Sequence, residues 1–540
     1  MISNQIKNLI HKAIQDVQKQ GILPDFSIPE IEIITPPSNI KGDFSTNISA
    51  KIAKTIHKTP DEVAKILIES ISAQDTAKLL FKAAPQFVKP VFINFFLSNK
   101  AYINDLKEII KKGENYGSLD IGLGQKVQIE FLSANPTGPL TIGNGRGAFV
   151  GDCLANIFSL AGYQVEREYY VNDMGSQIEK LGHSVLGDDQ AVYRGEYIKD
   201  IVKKINKDQT QDVFKIGQQA AQLILKEIIK PVIEKKLKIK FDRWFLESSL
   251  YRSGEIDKVI QKLKAKNLLY RKDQALWFKG TEFGLEKDCV LEKKNGYKTY
   301  LAGDLAYHVN KFKRGFDKVI NIWGADHFGD VPRLFAGLKA LNYSEEKLKI
   351  ILVQFVRLIK KGREMRISKR RGNYITLEKL IDSIGLDISR FFFLMRAVNT
   401  HMNFDLDLAK EESEKNPVYY IQYAYARIAG ILKKAKIDFN LENFSEIDFN
   451  LLKQPAEINL IKKLIIFPEI IEKTTKDFQV QRLPHYAFEL ASSFHKFYEN
   501  CQVISSDKVL SRSRLALIES TRIILKKTLS LMGISSPEKM

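Results

Sequence analysis

Ile129-Glu130-Phe131-Leu132-Ser133-Ala134-Asn135-Pro136-Thr137-Gly138-Pro139-Leu140-Thr141-Ile142-Gly143-Asn144-Gly145-Arg146-Gly147 takes an apolar run into a turn rich in Pro and Gly, then out into a helical pattern. The run spans Val127–Leu132, and the spacing of apolar residues predicts a helix over about Gly147–Ala161. Val165–Val171 is the next strand candidate, so the segment reads strand, helix, strand. Strands joined in this way lie parallel, because a crossover helix returns the chain to the end of the sheet where the first strand began. The pattern recurs as a helix over Leu305–Phe312, a strand over Lys318–Trp323, a helix over Pro332–Leu341 and a strand over Ile350–Ile359. This repetition predicts an α/β fold, a parallel sheet with helices on both faces. Glycines in the quoted turn let the backbone approach an anion, and the helix start offers free N–H groups and a favourable dipole. Thr141 and Asn144 are short polar side chains that can add hydrogen bonds. The same glycines would equally serve a tight strand-to-helix connection, so the turn alone leaves both readings open.

Upstream, residues 1–110 mix amphipathic helices such as Asp61–Ser72 with β-rich runs at Ile31–Thr35 and Phe87–Leu97, a small α+β domain. Ile2, Ile6, Leu9, Ile10, Ala13, Ile14 and Val17 recur at helical spacing, and Gly21 is a stop signal. Polar residues interrupt that pattern throughout, which marks an amphipathic helix and not a signal sequence. Lys111–Gly124 reads as a linker. The α/β region runs over 118–395 and holds a long insert, about 190–300, rich in helix formers. After about 396 strand signals disappear. Helical periodicity over Tyr419–Leu432, Ala456–Glu472, Tyr486–Asn500 and Arg512–Met532 predicts an all-α helix bundle over 396–540.

A formal net charge of +19 suits a polyanionic partner, since each neutralised phosphate releases counterions, although a solvated Lys-rich surface has the same composition. Cys153, Cys289 and Cys501 are far apart and form no metal or disulfide spacing, which fits a reducing cytoplasm. The apolar runs Val91–Leu97 and Phe391–Met395 are too short to span a bilayer, so no membrane partner is expected. A second informative stretch runs from Arg357 to Asn373, where basic residues crowd a loop bounded by Gly362 and Gly372 just after a strand. Loops at the carboxyl ends of parallel strands line the ligand crevice, and a cationic one can stabilise charge developing on a triphosphate.

Glu130 through Asn144 resembles the signature turn of class I aminoacyl-tRNA synthetases, and Ser133–Leu140 resembles its form in arginyl-tRNA synthetases. That family usually has histidine at both ends of the four-residue core that here reads Thr141-Ile142-Gly143-Asn144, a form similar to that of tryptophanyl-tRNA synthetases. Arg366-Ile367-Ser368-Lys369 resembles the second class I signature, Lys-Met-Ser-Lys, with its final lysine kept. Gly42–Asn47 and Phe92–Phe95 resemble the family's N-terminal domain, and Asn416–Arg427 the opening of its anticodon-binding bundle.

The resemblance implies a Rossmann-type class I catalytic domain that uses ATP with Mg²⁺ to activate L-arginine and passes it to its tRNA. Thr141, Asn144 and Lys369 would be catalytic. Pro139, Thr141, Gly143, Asn144, Gly145, Asp326, His327, Ser368 and Lys369 would bind ATP. Glu247, Tyr300 and Asp304 would hold the guanidinium, which calls for planar carboxylate partners, with Glu130, Ser133, Asn135 and Asp326 around the rest of the arginine. By local pattern alone, Asp304 reads as the N-cap of a helix over Asp304–Phe312, and Glu247 as a surface acid. No resident metal site and a monomer are expected. A synthetase for a neutral amino acid would not want these two carboxylates, and a tRNA-binding protein without catalysis would not need Lys369. Tyr419, Tyr420, Tyr423 and Tyr425 crowd one helical stretch, with Tyr420, Tyr423 and Arg427 the candidates for stacking on unpaired tRNA bases.

Overall fold

The computed structural model describes all residues except 38, 206–211, 366–374, 436–438 and 440–446. The chain opens with α1 (Ile2–Lys19), whose buried face is the apolar stripe read above. Strand β1 (Phe44–Thr46) follows, then α2 (Pro60–Ala73), which starts at a Thr59–Glu62 capping box with Pro at its first turn. Strands β2 (Phe81–Val88) and β3 (Phe92–Leu97) complete an antiparallel sheet of order β1-β3-β2. Ile31–Thr35 is not a strand; it contributes a single bridge, Ile34 to Ser45. Helix α3 (Asn99–Lys112) then leads towards the catalytic region.

That region is built on five parallel strands. They are β4 (Lys126–Glu130) and β5 (Gln164–Val171), joined by α4 (Ile142–Leu160), then β6 (Arg243–Leu246), β10 (Lys318–Gly324) and β11 (Leu348–Val353). Their order is β11-β10-β4-β5-β6. The chain moves one way from β4 and the other way from β10, so the switch point lies between these neighbours and the crevice opens above their carboxyl ends. Helix α4 starts at Ile142, not near Gly147. Two of its glycines are helix-packing positions: a Cβ on Gly145 would lie 2.8 Å from Leu377 and 3.0 Å from Phe393, and one on Gly151 would lie 2.1 Å from the Phe131 ring.

The insert is not only helical. Beyond β5 come α5 (Ser176–Leu186) and α6 (Glu196–Lys204), then β6, which joins the main sheet, and α7 (Glu247–Arg252). Strands β7 (Leu269–Lys272), β8 (Ala275–Phe278) and β9 (Cys289–Glu292) form a small antiparallel sheet. Helix α8 (Tyr300–Lys313) begins four residues before Asp304, so the N-cap reading of Asp304 falls. Helix α9 (Asp330–Ala340) crosses from β10 to β11.

The expected strand over Ile350–Ile359 is two. After β11 the main chain of Gln354 bonds outside the sheet, its N–H to Val398 O at 2.9 Å and its carbonyl to Arg146 Nη1 at 2.9 Å. β12 (Val356–Lys360) restarts in another sheet with β13 (Arg363–Met365) and with β14 (Met402–Asp405). Strand structure therefore persists past 396. Between these lie α10 (Leu377–Ile384) and α11 (Leu386–Leu394).

The terminal helices are α12 (Pro417–Ala435), α13 (Pro455–Ile465), α14 (Phe467–Asp477), α15 (Arg482–Asn500) and α16 (Lys508–Leu531). The expected helix over Ala456–Glu472 breaks at Ile466, two residues before Pro468, which lies in the first turn of α14. The N-terminal region docks on this bundle: Asp43 pairs with Lys462 at 2.6 Å, and the Ser3 N–H donates to the buried Glu469 at 3.3 Å. Among the described residues no helix is long and apolar enough to cross a membrane.

Candidate active site

A cavity of 770 Å³ lies over the carboxyl ends of the parallel strands. Its floor is the end of β4 and the loop that follows, where Leu132 (φ 70°) and Ser133 (φ 33°) both hold left-handed backbone. For side chains larger than glycine that conformation stores strain, and strain of this kind clusters at functional sites. Ser133 pins the loop: its hydroxyl donates to Glu130 Oε1 at 3.1 Å and accepts the Tyr170 N–H at 3.1 Å.

Glu130 is buried and paired. Its Oε2 lies 2.6 Å from Nζ of Lys311, which is itself fully buried and also donates to Asn321 at 2.8 Å. Asn321 then meets His308 Nε2 at 2.6 Å, and His308 Nδ1 meets the Asp304 carbonyl at 2.7 Å. Burial and the Lys311 charge hold the His308 ring neutral. Asp304, His308 and Lys311 stand at i, i+4 and i+7 on α8, so one helix face carries the chain. That spacing is visible in the sequence, but no local signal marks His308 or Lys311 as part of a buried network.

Glu247, the first residue of α7, is 4% exposed, and its Oε2 has no hydrogen-bond partner. Burial, then Asp304, then Asp173 push its carboxyl up to about 8. Burial, then Glu130 and Asp330, push Asp304 up to about 7, against the pull of His327 and Lys311. Both carboxyl groups line the cavity and neither forms an ion pair among the described residues, and the unmade hydrogen bond of buried Glu247 Oε2 is costly. Asp173 sets α7 in place: it accepts the Ser248 N–H at 2.8 Å and the Ser248 hydroxyl at 2.7 Å. No local sequence signal marks that contact, which joins residues 75 apart.

The other expected residues fall as follows. Tyr300, Asn135, Pro139 and Asn144 line the cavity, and so do Asp326 and His327 at its exposed lip, where His327 lies 3.2 Å from Asp330. Asn135 donates to Gln177 at 2.9 Å. Thr141, Gly143 and Gly145 do not line it. Thr141 caps α4, and Oδ1 of Asn144 accepts both its N–H (2.8 Å) and its hydroxyl (2.9 Å), which leaves the Asn144 amide hydrogens to donate elsewhere.

Ser368 and Lys369 lie outside the described residues. The chain beyond them is nevertheless held against the signature turn, since Thr141 bridges Thr376 and Leu377 N–H donates to Leu140 O at 2.9 Å. A second cavity of 1670 Å³, lined in part by β8 and β9, shares Glu247, Tyr300, Asp304 and Asp330 with the first.

On α12, Tyr425 is buried and Tyr419 half-buried, while Tyr423 is 43% exposed. Tyr420 and Tyr423 pack on His495 at centroid distances of 4.7 and 5.9 Å. The Arg427 guanidinium lies over the Tyr423 ring at 4.7 Å and the Tyr498 ring at 4.8 Å. An open aromatic and cationic face results.

Three family models match the chain in order: Arginyl tRNA synthetase N terminal domain over 4–97, tRNA synthetases class I (R), catalytic domain, over 105–394, and DALR anticodon binding domain over 421–540. Among curated relatives, an arginine–tRNA ligase of Acetivibrio thermocellus is 43% identical and covers 100% of this chain and 98% of its own. One of Carboxydothermus hydrogenoformans is 44% identical over 97% of this chain and 96% of its own. The Thermus thermophilus arginyl-tRNA synthetase structure covers 100% of both chains with a TM-score of 0.77 at 22% identity, a likeness of fold. Matched over its full length by such relatives, and domain by domain in the same order, the chain belongs to the arginyl-tRNA synthetase family.

Proposed function

We propose that the cavity activates L-arginine with ATP and transfers it to the 3′ end of its tRNA, with the guanidinium held between Glu247 and Asp304. The observation that carries this is the pair of uncompensated carboxyl groups beside a phosphate-type turn. A guanidinium supplies the donor that Glu247 Oε2 lacks and the ion-pair partner that neither carboxyl has among the described residues. Tyr300 borders the side chain, and Asn135 and Ser133 border the α-amino and carboxylate end. Glu130 contributes from behind, its charge shared with Lys311.

The arginine carboxylate attacks the α-phosphorus of ATP, pyrophosphate leaves, and the terminal ribose hydroxyl of the tRNA then takes the arginyl group as AMP leaves. No side chain forms a covalent bond. Asn144 and the start of α4 orient the nucleotide, Asp326 and His327 border it, and Lys369 and Ser368 meet the phosphates.

Among the described residues no cluster of three or more His, Cys, Asp or Glu could hold a resident metal. Mg²⁺ would accompany the ATP phosphates, where it would supply charge neutralisation. Residues 1–110 contact tRNA and the helices after Pro417 read the anticodon loop through Tyr420, Tyr423 and Arg427. A cytoplasmic monomer is the expected form. The test is charging of tRNA with labelled arginine against other amino acids, together with ATP–pyrophosphate exchange with and without tRNA. Charging with a different amino acid would overturn the assignment of the pocket.

A further inference from the structure

Acids dominate the floor of the 770 Å³ cavity, yet two cations stand at its rim. Among the described residues, Lys180 and Arg194 are its only lining lysine and arginine. Neither forms an ion pair among the described residues, and two acids of the connecting segment are paired elsewhere, Asp188 with His183 at 2.7 Å and Glu196 with Lys199 at 2.7 Å.

Both cations are placed by fastened elements. Lys180 is on α5, and Arg194 comes two residues before α6. The connection between the helices is tied to α5 through the Ser184 hydroxyl, which accepts the Val192 N–H at 3.1 Å and the Tyr193 N–H at 2.9 Å. Tyr197 of α6 donates to the Thr137 carbonyl at 2.9 Å. Its ring lies so close to Gly138 (φ 155°) that a Cβ there would meet it at 2.9 Å. Helix α6 is thus pressed onto the signature turn, and the cations stand beside that turn.

We propose that Lys180 and Arg194 bind phosphodiesters of the tRNA acceptor strand and guide its 3′ end to the arginyl group; this rests on the tRNA-charging reading above. The sheet order decides between phosphate sources. The nucleotide crevice of such a sheet lies at the switch between β4 and β10. Helices α5 and α6 follow β5, which lies on the far side of β4 from β10, next to the β6 edge that supplies Glu247. The cationic rim is therefore on the arginine side, where the acceptor hydroxyl must arrive.

Full-length Lys180→Gln, Arg194→Gln, the double variant and Arg194→Lys test this. Both side chains are exposed, so the variants should fold. Each Gln variant should raise the KM for tRNA about fivefold, with the KM for ATP and for arginine changed by less than about twofold. The slope of log affinity for tRNA against log salt should fall by about 0.7 per side chain, and Arg194→Lys should recover most of the loss. With tRNA trimmed of its 3′-terminal nucleotides, wild type and double variant should bind alike. A rise in KM for ATP or arginine instead would give the rim to that substrate's anion and overturn the proposal. So would an equal loss with trimmed tRNA, or no change at all. A wild type that fails to charge tRNA with arginine would sink the underlying reading, whereas a charging wild type with indifferent variants sinks this proposal alone.

Discussion

Replacing Glu247 with glutamine probes the arginine pocket through its protons. With Glu247 pushed up to about 8 and Asp304 up to about 7, the empty pocket holds protons at neutral pH that a guanidinium must displace. Each pH unit below a group's pKa costs about 1.4 kcal/mol of binding, tenfold in affinity. Arginine affinity should therefore be flat above about pH 8, fall about tenfold from 8 to 7, and fall more steeply below 7, where both carboxyls are protonated. Stability of the empty protein runs the other way. Both folded values lie above the unfolded ones, so the folded chain binds more protons between about pH 4 and 8 and loses stability as pH rises through that window. Arginine relieves this burden, so its increment in Tm should be larger at pH 8.5 than at pH 6.

Calorimetric titration in buffers of different ionisation enthalpy counts the protons. At pH 7.5, values of about 8 and about 7 leave Glu247 roughly three-quarters and Asp304 roughly one-quarter protonated, so about one proton should be released. Glu247→Gln should release about a quarter of a proton and lose on the order of 2–5 kcal/mol of affinity, because a buried guanidinium is left half-paired. Its pH dependence should keep only the inflection near 7. Affinity that is constant from pH 6 to 8.5 in the wild type, or an unchanged proton count in the variant, would refute the reasoning.

Lys369→Ala should lower kcat with little change in the KM for ATP, since its charge matters most in the transition state; steady-state kinetics that show only weaker ATP binding would move it to a ground-state role. Lys311→Met should cost about 3–5 kcal/mol in urea denaturation, because Glu130 is left buried and unpaired, and adding Glu130→Gln should restore much of it. If the double variant is no more stable than the single one, charge pairing is not what Lys311 supplies. Tyr423→Ala should weaken tRNA binding by about 1–3 kcal/mol without unfolding the bundle, as measured by filter binding of the full chain. Binding equal to wild type would move the anticodon face away from α12.

The parallel core was legible because its signals are local. A strand buried on both faces reads as a short apolar run, and β4 and β10 fall where such runs predict them, while α4 and α8 begin about five residues earlier than their patterns suggest. What failed to show locally was set by distant contacts. Gly145 reads as a loop residue until Leu377 and Phe393 are packed on it, and the break between β11 and β12 depends on Val398 and Arg146. Strands β6 to β9 are four residues each, too short for alternation to stand out within helix-forming sequence. At the cavity, acids could be suspected from residue type, but that Glu247 is buried with a free oxygen, and that Lys311 already serves Glu130, follows only from the fold.

The departure of the signature turn from the family's histidines has a consequence for these measurements. Thr141 and Asn144 carry no charge at any working pH, so the turn cannot add a titration of its own to arginine binding or to catalysis. His308, the imidazole nearest Asp304 in the buried network, is fixed neutral by burial and by Lys311. Among the described residues, the one imidazole lining the cavity is His327 at its lip, and His327→Gln removes it from the comparison. A proton count near one that survives His327→Gln but not Glu247→Gln would belong to the carboxyl pair. Cation charge for the triphosphate must likewise come from outside the turn. Thr376, which follows the basic stretch in sequence, is bridged to Thr141 of the turn. If Asn144→His, which restores the family's residue, were to rescue Lys369→Ala in part, the two positions would be supplying the same charge to the same phosphates; if the two substitutions acted independently, they would not.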